Sequence, residues 1–195
     1  MELTKLVTQH YSRQGLWSLF LMCAFPLHAW ALLLAFRDLS WLTERTNAWD
    51  AIGVGAYGLV FAFIESVVIF LVIVLLGFLV SRRWDEERRI ALLSVLALVL
   101  ALWAIIGQLF FMLAVSVPGG VIGFMAGTAH PLRLLYAAAL ALVAPTVLVP
   151  TLLVLRSGRA SQLIRGLIER VSLLTMFYLL FDVIGLVIVL IRNIS

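Results

Sequence analysis

Five apolar runs occupy most of this chain, and each is about as long as a bilayer is thick. They cover residues 15–36, 52–80, 90–116, 134–155 and 167–191. A spanning helix needs about 20 apolar residues at 1.5 Å rise each. Strands are excluded, because membrane barrels use roughly ten-residue alternating segments and these runs are continuous. The fold class predicted is therefore all-α: a polytopic transmembrane bundle with five spans, residues 1–195 forming a single transmembrane domain.

Composition agrees. The chain is 64% hydrophobic and 12% charged, against roughly 45–50% and about 25% in soluble domains. A net charge of +4 does not imply nucleic acid, because the arginines cluster in loops beside apolar runs. Lys5, Arg13, Arg82, Arg83, Arg88, Arg89, Arg156, Arg159, Arg165 and Arg170 share one side of the expected membrane; Arg37, Arg45, Arg133 and Arg192 share the other. The positive-inside rule puts the larger set in the cytoplasm. The N-terminus is expected inside, the C-terminus outside, and the first run is expected to be retained rather than cleaved as a signal peptide. Arginine-rich, nearly lysine-free usage fits a bacterial cytoplasmic membrane. The lipid bilayer is the certain partner; other membrane subunits or a second copy are the candidate protein partners.

Connections add detail. Residues 37–51 (RDLSWLTERTNAWDA) are amphipathic and predict a short helix on the outer surface, with Asp50 as N-cap of the second span. Residues 117–131 (VPGGVIGFMAGTAHP) are glycine-rich yet apolar, and read either as an outer loop or as a re-entrant one lining a cavity. Residues 159–170 (RASQLIRGLIER) either extend the fifth span or lie on the inner interface. Residues 81–89 (SRRWDEERR) are expected to form a solvated turn with local ion pairs. Trp17 and Trp84 are expected at the inner interface, Trp41 and Trp49 at the outer one. His10 and His130 read as solvated interface residues, and the Asn193–Ser195 sequon as chance.

Polar side chains within spans are costly, so each needs an account. Glu65, Asp182 and His28 fall near the middle of the second, fifth and first runs, and Gln108 in the third. Gly58, Ala62 and Ser66 recur at helical spacing beside Glu65 and predict a face that another helix approaches closely. Similar small-and-polar stripes accompany His28, Gln108 and Asp182. The four are therefore expected to converge on one interior, with His28 available to Asp182 and Gln108 to Glu65. Pro145 and Pro150 in the fourth run each remove a backbone donor and free carbonyls near Ala141 and Thr146. Trp30 and Trp103 read as packing or lipid-facing.

Two chemistries suit this set. One is a static polar knot that sets helix register, contributing about 0.6–2 kcal/mol per pair. The other is a proton- or cation-handling site in which Glu65 and Asp182 exchange protons. No catalytic residue, metal site or cofactor is assigned. The single cysteine, Cys23, reads as a packing residue. There is no HExxH, GxSxG or Walker loop. Ala31-x-x-x-Ala35 is a small-x-x-x-small pattern that identifies no family. The leading expectation is a non-enzymatic accessory or scaffold subunit of a membrane complex. The alternatives are a proton- or cation-coupled small-molecule transporter and, third, an intramembrane enzyme using the same acids.

Overall fold

The computed structural model describes residues 10–80 and 84–194, with the side chains of Leu39 and Thr43 left aside. Lys5, Arg82 and Arg83 of the arginine tally, and Ser195 of the sequon, lie outside the described residues. The described chain is helical: α1 Arg13–Arg45, α2 Ala48–Gly77, α3 Glu86–Met112, the short α4 Gly119–Ala126, α5 Pro131–Arg156 and α6 Gly158–Ile194. All but α4 are long and apolar enough to cross a membrane. The protein is an integral membrane protein with a five-span helical bundle.

The spans fall where the apolar runs are, but their ends do not. α2 and α3 begin and end about one turn earlier than the runs at 52–80 and 90–116. A helix starts at its cap, before its apolar stretch. Asp85, Glu86 and Glu87 open α3, where carboxylates meet the positive end of the helix dipole. Residues 37–51 do not form a separate surface helix. No glycine or proline interrupts RDLSWLTER, so α1 continues to Arg45. It stops where Thr46 satisfies Leu42 O twice, through its amide at 2.9 Å and its hydroxyl at 2.6 Å. Asn47, not Asp50, caps α2: its side-chain oxygen accepts from the Asp50 amide at 2.9 Å. Residues 159–170 belong to α6, which at 37 residues is about 55 Å long. Ala114, just past α3, adopts φ 47°, the left-handed conformation that ends helices. Within residues 117–131, α4 buries no residue. It packs against α5 and borders neither of the two large cavities described below.

α1 is the hub, packed by α2, α3 and α6. The densest core lies towards its Arg13 end, where Leu19, Met22, Cys23, Ile73, Val74, Leu93, Ala97 and Ile168 meet. Tyr11 closes this end. A Cβ on Gly77 would stand 1.7 Å from the Tyr11 hydroxyl, so only glycine permits that approach. The hydroxyl donates to Val74 O at 3.2 Å. Burial pushes the Tyr11 phenol above its ordinary 10.0, with Arg89 pulling it down.

Two expectations fail at this end. His10 is buried, packed against the rings of Tyr11 and Phe78, rather than solvated. Arg89 is buried too: it donates to His10 O and lies 5.6 Å from the Tyr11 ring centroid. Glu86 and Glu87 of the 81–89 segment bond to other elements. Glu86 accepts from the Ser12 amide at 2.6 Å, and Glu87 pairs with Arg165 on α6.

At the opposite end Arg192 fastens α6 to α2. Its guanidinium donates to Trp49 O and Asp50, each at 2.7 Å, and packs over Gly53 and the Trp49 ring. Asn193 donates to the Tyr57 hydroxyl at 2.7 Å.

Candidate functional site

The mid-depth polar residues do not form one cluster. They divide into a closed pair and an open groove.

The pair joins α1 to α6. His28 follows Pro26 by half a turn, and its ring turns back along its own helix, placing Nδ1 2.8 Å from Ala24 O. Its Nε2 lies 2.8 Å from Asp182 Oδ2. Both side chains are buried, His28 at 0% and Asp182 at 7% exposure. A carbonyl can only accept, so Nδ1 carries a hydrogen. One further proton then sits between Nε2 and Oδ2. With the proton on nitrogen the pair is imidazolium and carboxylate; with it on oxygen, imidazole and carboxylic acid. Either arrangement is net neutral, which is how two ionisable groups avoid the cost of an isolated charge in a bilayer.

The surroundings hold the geometry. The Tyr178 ring lies nearly parallel to the imidazole, centroids 6.1 Å apart, and Phe25 stacks beside Tyr178. Gly185, less than one turn after Asp182, sits against α2: a Cβ there would be 3.2 Å from Ala56 O. Asp182 Oδ1 has no hydrogen-bond partner among the described residues. The residue stands at the edge of an apolar cavity of about 700 Å³ whose walls include Trp17, Phe20, Phe63 and Phe70, with its carboxyl oxygens buried away from that space.

The groove lies between α1, α2 and α3 and measures about 600 Å³. Trp30 donates its indole hydrogen to Gln108 Oε1 across it, and Glu65 borders the same space. The expectation that Glu65 faces a neighbouring helix fails. The close-contact positions on α2 are Ala62 and Ser66, both buried, with Ser66 donating to Ala62 O at 2.6 Å. Successive helical residues are about 100° apart, so Glu65 falls on the flank and is exposed to the groove. Gln108 is also exposed, and its bond goes to Trp30 rather than to Glu65.

Pro145 and Pro150 stand on α5, which packs on α3, α6 and α4. They border neither cavity. α5 contacts α3 through Trp103, which donates to Thr146 Oγ1 at 2.8 Å; that hydroxyl donates in turn to Val143 O at 2.7 Å. Sequence reasoning missed both tryptophan bonds. The signal was available: an indole N–H within a span needs an acceptor, and Gln108 and Thr146 are acceptors on the next helices. Among the described residues no three His, Cys, Asp or Glu side chains converge as metal ligands.

Comparison of the chain with known protein families, with curated proteins and with solved structures returns no match.

Proposed function

We propose that this protein is a non-enzymatic subunit of a membrane assembly, and that its partner packs along α5. The observation that carries the reading is how little of that helix is buried. α5 has 26 residues and contributes a single buried one, Val154. Every other spanning helix is held along more of its length.

The exposed surface of α5 is not what lipid alone requires. Ala137, Ala138, Ala139 and Ala141 are all exposed, in the sequence YAAALALVAP. Ala137, Ala141 and Pro145 recur four apart, giving a low ridge along which a second backbone approaches closely. Helices associate in lipid through such small-residue faces, because dispersion and close packing replace the hydrophobic effect there. The mid-depth bonds support the same reading. His28–Asp182, Trp30–Gln108 and Trp103–Thr146 each join two helices of this chain, so they set the register of a platform.

The test is native mass spectrometry of the protein extracted from its own membranes in mild detergent. The wild type is expected to carry a second chain. Ala141→Trp is expected to lose it while remaining monodisperse and folded. A wild-type chain that emerges alone, with cross-linking in the intact membrane also giving no adduct, would overturn the reading.

A further inference from the structure

The groove between α1, α2 and α3 has an unbalanced charge. Among the described residues its walls include two carboxylates, Glu65 and Asp38, and no lysine, arginine or histidine. Asp38 is already paired with Arg37 at 2.9 Å. Glu65 has no hydrogen-bond or ion-pair partner among the described residues. It lies near the middle of α2, far from either end of that helix. An ionised side chain at such a depth is costly unless something neutralises it.

The space around Glu65 suits a small molecule. At about 600 Å³ it falls within the roughly 300–1,000 Å³ of ligand pockets. Ala31, Gly58, Ala62 and Ala101 leave the room, and Leu100, Ile69 and Phe61 supply apolar contact. Trp30 borders the groove with its indole held by Gln108. A fixed indole attracts a cation to its face, and more strongly where water is excluded. Small divalent ions fit poorly, since they need six or more oxygen ligands and Glu65 offers a lone carboxylate.

We infer that this groove binds a lipophilic monocation, an organic ammonium or phosphonium with an apolar body, held by Glu65 and the face of Trp30. The ligand enters from the bilayer, where such molecules concentrate. Its charge neutralises the carboxylate, and its apolar body fills the space that the small side chains leave open. The inference is independent of the partner proposed for α5, because no α5 residue borders this groove.

The test is equilibrium binding of radiolabelled tetraphenylphosphonium to the full chain in phosphatidylcholine nanodiscs, with protein-free discs subtracted. Wild type is expected to bind saturably with one site per chain. Glu65→Gln keeps the shape and removes the charge, and should weaken binding at least tenfold. Gly58→Leu should weaken it comparably by filling the groove; a Cβ at Gly58 meets nothing within 4 Å, so this variant is expected to fold and carries the test if Glu65→Gln does not. Asp182→Asn should bind like wild type. No saturable binding by wild type, or wild-type affinity retained in both the Glu65→Gln and Gly58→Leu variants, would overturn the inference. So would a protein partner cross-linked in native membranes through Gly58→Cys, which would assign the groove to a helix.

Discussion

The two intramembrane acids differ in what they touch, and that difference sets how each responds to substitution. Asp182 shares a proton with His28 inside packed protein. Removing His28 leaves the Asp182 carboxyl buried without a bond, and removing Asp182 leaves His28 Nε2 buried without one; either costs about 1–3 kcal/mol. We expect His28→Ala and Asp182→Ala each to destabilise the bundle by that amount. The double variant should cost less than their sum, with a coupling of about 1–2 kcal/mol in denaturant-titration unfolding in mixed micelles; additivity would contradict the pairing. Asp182→Asn should be milder, since its amide can donate to Nε2 while Nδ1 remains on Ala24 O. At this scale the sequence was informative about cost and less so about partners. His28, Glu65, Gln108 and Asp182 stood out because polar groups in apolar runs need an account. The choice of Gln108 for Trp30 instead of Glu65 depends on how α1 and α3 are rotated against each other, and no residue spacing within one helix encodes that.

Glycines show the same division between elements. Gly185 abuts the backbone of α2 at Ala56, whereas Gly58 faces open groove. Substitutions at the two should therefore have opposite signs. Gly185→Leu is expected to force α6 off α2 and destabilise by about 1–3 kcal/mol through overpacking. Gly58→Leu should be neutral, or stabilising by up to about 0.8 kcal/mol from helix propensity. Thermal melts of the two variants in the same detergent check this, and equal losses would contradict the assigned contacts. The sequence does not separate the two, since a glycine within an apolar run carries no sign of what its missing Cβ would meet. Helix ends were similarly hidden. The apolar runs located the spans, but α1 outlasts its run to Arg45 and α6 begins nine residues before its own, at Gly158. Polar residues such as Glu44 and Arg165 are good helix formers, so a change in hydropathy marks the edge of the lipid and not the end of the helix.

For the whole molecule, the five-span all-helical architecture followed from run length alone. The single interior site did not survive, for a physical reason. These helices are apolar on nearly every face, so hydropathy does not say which face meets protein. α1 packs α6 on one side and borders the groove on another, and it thereby separates His28 and Asp182 from Glu65 and Gln108. One acid is sealed and the other open, and this division underlies both proposals, the register-setting pair and the ligand groove. A hydrophobic carbodiimide, which reaches carboxylic acids from the lipid phase, reads that division directly when the protein in nanodiscs is treated and its peptides are mapped by mass spectrometry. An adduct is expected on Glu65, with Asp182 unmodified until the bundle is unfolded. Modification of Asp182 in the folded protein, with Glu65 protected, would contradict it.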